Sequence, residues 1–395
     1  MRQAERARIL KALRHGLDTN TSVDAGGILR APVTDFTCKE LLAREQEIFF
    51  RQTPLLMGLS TDLPQPGSYV ATAETGVAIL LTRDTQGQFR AFLNVCSHRG
   101  MQVVEEGRGV KHRFTCPFHA WTYKNSGELI AIAREDRFGC IDKGEHGLVE
   151  LPAAEKYGLL WVRPSPGDPI DIDAQLGGLA EDMEAWQLPT HAFSEAQVID
   201  AEINWKLAID TFGENYHFDV LHKQTLANDI HGNLQTQDIF GRNYRMVFAQ
   251  KGGFKYVADN NMPLEQWPYR WITLNVYFIY PNVIFLVDPA GVDVLRMYPD
   301  AQDPARSRTH HSYYANPELA AHLEQQGIEA GGSRFVGFNM IVVDEDFAAA
   351  THTQRNALSG ARSHYIFGRN EPALHHYHNV HREGLGLPPL ELEQA

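Results

Sequence analysis

The chain has 395 residues, 43% of them hydrophobic and 22% charged, which suits two packed domains and gives no compositional case for disorder, collagen or a coiled coil. A formal net charge of -13 argues against nucleic acid or an anionic membrane as the main partner. No apolar run approaches the roughly 20 residues of a spanning helix. The four cysteines, Cys38, Cys96, Cys116 and Cys140, are too few for a disulfide scaffold and point to a reducing, cytoplasmic setting.

In chain order, residues 1–44 read as a surface helix and loop, an arm expected to pack on the larger domain. Its basic residues are scattered among apolar ones, with no signal-peptide core. From 45 to 165, short β-type runs (77–82, 89–94, 113–116, 159–162) alternate with Gly-containing turns, which predicts a small all-β domain. Three prolines within 164–169 interrupt any helix or central strand and mark a boundary. Residues 166–395 then read as an α+β domain. Helical segments at 207–221, 317–326 and 345–359 surround an apolar, aromatic strand region at 271–288. The tail HHYHNVH at 375–381 has no matching carboxylate in sequence and reads as a surface feature able to bind metal adventitiously.

Two segments carry chemistry. NVCSHRG supplies Cys96 and His98, and CPFHAW supplies Cys116 and His119, giving C-x-H-x17-C-x2-H. Two thiolates and two imidazoles make a four-ligand site for zinc or for an iron-sulfur cluster. The mixed Cys/His pair in each loop, and the single residue between Cys96 and His98, depart from the usual structural zinc spacing. They match the layout in which two Cys hold one iron and two His the other. These loops resemble the two cluster loops of the Rieske family, over roughly 45–165. Cys38 and Cys140 stand outside the pattern as structural thiols.

The second segment, NWKLAIDTFGENYHFDVLH, places Asp210, Glu214, His217 and Leu221 at helical spacings of four, three and four, hence on one face of a helix. His222 follows His217 by five residues, so both imidazoles reach one metal only if the helix ends or widens there. Two His and one carboxylate with open positions form the facial triad of non-haem iron oxygenases. The acidic run Asp344-Glu345-Asp346 offers the carboxylate.

With the NWK segment upstream and the acidic run downstream, the whole order resembles the alpha subunits of Rieske non-haem iron ring-hydroxylating oxygenases. That resemblance implies an α+β chain: a small all-β Rieske domain plus a larger antiparallel-sheet and helix domain of helix-grip type. It implies a [2Fe-2S] cluster on Cys96, His98, Cys116 and His119. It also implies a mononuclear Fe(II) on His217, His222 and Asp346, with Asp344 and Glu345 as alternatives for the last ligand. Glu214 occupies the position of the family's bridging carboxylate, which links an iron His to a Rieske His of the neighbouring subunit, here His119. The family usually has Asp there, so the longer Glu puts the bridge geometry in question. Asp210 is either a second carboxylate supporting the site or a satisfied buried acid.

The activity implied is O2-dependent hydroxylation (dihydroxylation, monohydroxylation or oxidative demethylation) of a small organic substrate, expected to be aromatic. Phe218 and Phe338 are taken as pocket residues. A homotrimer is expected, with a beta subunit not excluded. No dinucleotide or phosphate loop motif occurs, so electrons from NAD(P)H are expected to come through a separate reductase, with or without a ferredoxin. Arg99, Arg108, Lys111, His112 and Arg113 are either a docking patch for an acidic donor or solvated loop charges. The competing readings are a Rieske electron-transfer protein without oxygenase activity, and a zinc-stabilised binding module.

Overall fold

The computed structural model describes residues 1–325 and 333–394; Gln326, the end of one expected helix, lies outside them. The chain divides into two compact units, one of residues 46–175 with 187–189, the other of residues 1–45, 176–186 and 190–395.

The smaller unit is built from antiparallel strands. A five-stranded sheet runs in the order Glu150–Leu151, Phe89–Leu93, Ile79–Arg83, Ser68–Thr72, Gly107–Val110. A three-stranded meander joins Arg113–Thr115, Thr122–Lys124 and Leu129–Ala131. The alternation of apolar and polar residues in these runs puts Phe92, Phe114, Tyr123 and Leu129 into one core with Cys96 and Cys116. A third sheet carries Leu159–Val162, buried along its length, between Ala153–Lys156 and Leu55–Leu59.

The larger unit is organised on a seven-stranded antiparallel sheet, in the order Ala192–Ala201, Ser307–Ala315, Gly291–Pro299, Val283–Asp288, Thr273–Ile279, Asn243–Gln250, Ile230–Phe240. Trp271, expected in the strand region, instead sits in the helical turn Tyr269–Ile272. Directly paired residues share a face, so Phe248, Leu274, Val276 and Leu286 line one side of the sheet. Arg245 and Tyr277 line the other. The arm helix Gln3–Thr19 buries Ile9, Leu10 and Leu13, and its Glu5 pairs with Arg245, which also bonds Asp182 and Asp238 at 2.6 Å each. A buried guanidinium is tolerated there because three carboxylates satisfy it.

Two further expectations are corrected. The helix expected over 207–221 is only Trp205–Asp210, started by Asn204, whose side chain accepts from the Lys206 N–H. At Gly213 a side chain would overlap Leu374 of the helix Pro372–Gly384, so the turn there passes close under that helix. The HHYHNVH tail belongs to that same helix and is buried, not a surface feature: His375, His378 and His381 face inward. His378 bonds Asp210 at 2.9 Å, so the missing carboxylate comes from far away in sequence. His381 reaches the carbonyls of Tyr377 and Pro281, and burial holds it down at about 3.

Candidate metal centres and the pocket between sheet and helices

The two Cys/His loops of the smaller unit are near copies of one another. In the first, Cys96 N–H donates to Met101 and Gly100 N–H returns to the Cys96 carbonyl; in the second, Cys116 N–H donates to Trp121 and Ala120 N–H returns to the Cys116 carbonyl. Both turns close on a left-handed residue, Gly100 at φ 77° and Ala120 at φ 56°. Buried Asn94 fastens the first loop, donating to the Val104 carbonyl and accepting from Val103 and Val104.

The loops place their ligand types at different depths. The Cys96 and Cys116 thiols are 2% exposed, while His98 and His119 are half-buried at the tips, their rings 4.6 Å apart. His98 stacks on Trp121 at 5.0 Å, and the Tyr123 hydroxyl lies 3.2 Å from the Cys96 sulfur. Burial pushes the Cys116 thiol up, beside Cys96. Two adjacent buried thiols facing two half-exposed imidazoles suit a group that supplies positive charge between them. Sequence reading did not single out Trp121 and Tyr123, although the first closes the CPFHAW motif and the second lies two residues beyond it.

In the larger unit, His217 and His222 lie on the turns after Asp210, and their Nε2 atoms approach to 3.2 Å. Asp346 Oδ1 is 3.3 Å from the first and 3.1 Å from the second. It is buried without a hydrogen-bond partner among the described residues. These three make a group able to hold one metal ion, their ligand atoms within 4.8 Å of each other.

Each imidazole is gripped from behind. Glu214 accepts from His217 Nδ1 and from the Tyr216 N–H. Glu345 lies 2.6 Å from His222 Nδ1 and 2.7 Å from the Thr225 hydroxyl. With Nδ1–H donated to a carboxylate, each Nε2 keeps its lone pair for a metal. Burial opposes protonation of His217, but Asp346 and Glu214 outweigh it and raise the group to about 10. Such an excess of carboxylate is what a bound cation would neutralise.

Glu345 and Asp346 are neighbours in sequence yet serve the same His222 from its two nitrogens. They sit in a π-helical stretch, Asn339–Phe347, that runs on as the α-helix Ala348–Leu358. The wider turn of such a stretch re-aims side chains and is frequent at functional sites. Asp344 belongs to neither contact. Asp210 is directed to His378 rather than to the triad, and its Oδ2 is unpartnered among the described residues.

A cavity of about 510 Å³ opens on this triad. His222, Asp346 and Glu214 are at its wall with Phe212, Phe218, Phe248, Leu274, Val276, Leu286 and Phe338. Phe218 and Phe338 are thus both lining residues, and Phe212 and Phe248 are two that sequence reading did not single out.

An all-β unit with paired Cys/His loops and an α+β unit with a two-His, one-carboxylate group define an iron-sulfur protein with a second, mononuclear centre. Residues 53–145 match the Rieske [2Fe-2S] domain family, and residues 188–386 the catalytic domain of the ring hydroxylating alpha subunit family. The chain belongs to the ring hydroxylating alpha subunit family, and its cofactors are a Rieske [2Fe-2S] cluster and a mononuclear non-haem iron. It is 29% identical to the benzene 1,2-dioxygenase alpha subunit of Pseudomonas putida over 58% of this chain and 53% of that one. It is 28% identical to the carnitine monooxygenase oxygenase subunit of Acinetobacter baumannii over 73% and 76% of the two chains. The chain therefore spans about half the length of the benzene dioxygenase subunit.

The fold is that of the quaternary ammonium Rieske monooxygenase CntA in complex with L-carnitine, with a TM-score of 0.75 at 20% identity, over 91% of this chain and 96% of that one. Naphthalene 1,2-dioxygenase from Rhodococcus sp. superposes with a TM-score of 0.69 at 17% identity, over 96% and 98%. No helix among the described residues is long and apolar enough to cross a membrane.

Proposed function

We propose that this chain is the terminal oxygenase of a Rieske system, in which Cys96, His98, Cys116 and His119 hold the cluster and His217, His222 and Asp346 hold the iron. The observation that carries the reading is the convergence of two Nε2 atoms and one unpartnered carboxylate oxygen on the wall of an apolar cavity. An electron-transfer protein would have no use for such a cavity beside a second metal centre. When bound, the cluster supplies single electrons and the iron activates O2.

The protein's own groups do the rest. Glu214 and Glu345 fix the tautomers and ring planes of the two histidines. The phenylalanines exclude water and hold the apolar body of a substrate against the iron side. Glu214 spends one oxygen on His217 Nδ1 and the other on backbone N–H groups. Its hold on His217 is the inner half of the bridge; the outer half is His119 of a neighbouring copy, in a ring of three. Tyr216 and Val220, beside His217, are 62% and 82% exposed, and Phe118, beside His119, is 55% exposed. Apolar residues so placed suit burial between copies.

The substrate is a small organic molecule, as benzene and carnitine are for the two relatives. A separate reductase supplies the electrons.

The test is metal and acid-labile sulfide per chain, with the EPR spectrum of the reduced protein and product analysis after reconstitution with a reductase. About three irons and two sulfides, with O2-dependent product, is the expected result. Zinc without sulfide overturns both centres. A cluster with an iron-loaded triad but no O2-dependent product across aromatic and ammonium substrates overturns the oxygenase reading.

A further inference from the structure

The same cavity has a second polar end that the iron chemistry does not use. Arg334, Asp288 and Gly337 line it. Arg334 opens the helix Arg334–Phe338, which runs without a break into the π-helical stretch carrying Asp346. Twelve residues of helical rod separate the two side chains, on the order of 15 Å at ~1.5 Å per residue with some shortening in the wider turns. Between these ends the walls are Phe248, Leu274, Val276, Leu286 and Phe338.

Arg334 is locked in orientation. Its Nη2 donates to Asp288 at 2.6 Å and to Asp293 at 2.8 Å, its Nε donates to Asp293 at 3.2 Å, and its guanidinium lies over the Tyr313 ring. Nη1 has no partner among the described residues, which leaves its N–H groups as the open valence at this end. The surrounding charges are settled by the hydrogen bonds. Asp293 Oδ1 takes His311 Nε2 at 2.8 Å, and His311 Nδ1 accepts from Gln197, whose amide is oriented by Asn339. Burial alone would raise the Asp293 carboxyl, but His311 and Arg334 outweigh it and hold it below the usual range. Asp288 takes the Ala290 and Gly291 N–H groups on Oδ1 and Arg334 on Oδ2.

The Asp288 and Asp293 carboxylates outnumber the Arg334 guanidinium. Glu195, which accepts from the Ser333 hydroxyl and the Arg334 N–H, adds another carboxylate nearby. A carboxylate on the ligand would be repelled. An ammonium would meet the guanidinium itself, and Asp288 and Asp293 each already accept three hydrogen bonds. The group that fits is an uncharged acceptor. We propose that Arg334 is a specificity-determining residue whose Nη1 binds a neutral oxygen of the substrate, such as a ketone, ester, amide or ether oxygen, at the end of the cavity away from the iron. The proposal rests on the oxygenase reading for the word substrate, and on the cavity alone for the binding.

The experiment is isothermal titration calorimetry of the metal-loaded protein with four probes of similar shape: benzylacetone, hydrocinnamate, phenylpropylammonium and butylbenzene. Benzylacetone is expected to bind about tenfold more tightly than the other three, the discrimination of one well-placed hydrogen bond in a dry site. Arg334→Met should bring benzylacetone down to the level of butylbenzene and leave butylbenzene unchanged. Asp288→Asn, which removes one negative charge, should raise hydrocinnamate affinity several-fold, and it keeps the test alive if the Arg334 variant fails to fold. Tightest binding of hydrocinnamate or phenylpropylammonium overturns the proposal. So does a ketone advantage that survives Arg334→Met, or the failure of all four probes to bind. Metal analysis separates the two readings: Arg334-dependent ketone binding in a chain that holds zinc and no sulfide keeps the subsite and sinks the oxygenase.

Discussion

In the smaller unit the proposed cluster ligands all fall between positions 96 and 119, on two loops that repeat one backbone pattern, and no carboxylate backs their histidines among the described residues. In the larger unit the proposed iron ligands come from the turns at 217–222 and from Asp346 on a distant helix, and carboxylates crowd around them. Glu214 and Glu345 back the histidines, and Glu371 stands in the field of Glu214 and Asp210. The first region is held by local hydrogen bonds and needs little from the rest of the fold. The second exists only when helix, turn and sheet are assembled, and it accumulates negative charge that a cation offsets. Metal retention in the two should therefore respond to different substitutions.

The largest expected effect is on the second region alone. Glu345→Gln leaves the triad intact and removes the charge behind His222. An outer carboxylate of this kind contributes about ten- to hundred-fold in metal affinity. Iron should be lost from the triad at correspondingly lower chelator concentration, while the visible spectrum of the cluster stays unchanged. Equal loss at both centres, or none, would break the contrast between them.

That contrast also decides what could be read from sequence. C-x-H-x17-C-x2-H is visible because a loop motif keeps its ligands close in the chain, and the domain types followed from it. The histidine pair was visible, but its backbone was not. The spacing of Asp210, Glu214 and His217 fits a helix, yet the helix ends at Asp210, and Gly213 lies close against Leu374 of a helix about 160 residues away in the chain. Asp346 was preferred by its position in the family pattern, but the separate contacts of Asp344, Glu345 and Asp346 could not be read, since the π turns that divide them carry no periodic signature. The HHYHNVH tail misled for a related reason. Histidine looks polar in sequence, and the groups that satisfy it, Asp210 and the Pro281 carbonyl, are supplied by other elements.

A smaller effect measures the cost of the acidic crowding. Burial raises the Glu371 carboxyl to about 7, with Glu214 and Asp210 adding to the rise against the hydrogen bond from the Gly368 N–H. A carboxyl whose folded value lies above its unfolded one contributes stability that is fully present below the ordinary pKa of 4.5 and is lost as pH rises through about 7. Glu371→Gln keeps an acceptor for Gly368 without the charge. It should therefore stabilise the larger unit at pH 8 by roughly 1–2 kcal/mol, allowing for solvent screening, and give no gain at pH 4. Denaturant melts at the two pH values check this; a gain that does not depend on pH would mean the carboxylates are not in conflict.

The smallest effect probes the repeat within the cluster region. Gly100 and Ala120 close equivalent turns with positive φ, but only glycine adopts that conformation without a side-chain penalty, which for other L-residues is about 1–2 kcal/mol. Ala120 bears the penalty because the turn is held at both ends, by the Cys116 carbonyl and by Cys116 N–H on Trp121. Ala120→Gly relieves it but gives the unfolded chain more freedom, so the net gain should be below about 1 kcal/mol. Gly100→Ala, with open space around the missing side chain, meets the same backbone penalty with no compensating contact and should cost about 1 kcal/mol. If the loops are equivalent, the two changes move thermal stability in opposite directions and leave iron in the triad untouched. If Ala120→Gly destabilises instead, the second loop depends on the alanine methyl, and the likeness of the two loops stops at their backbone.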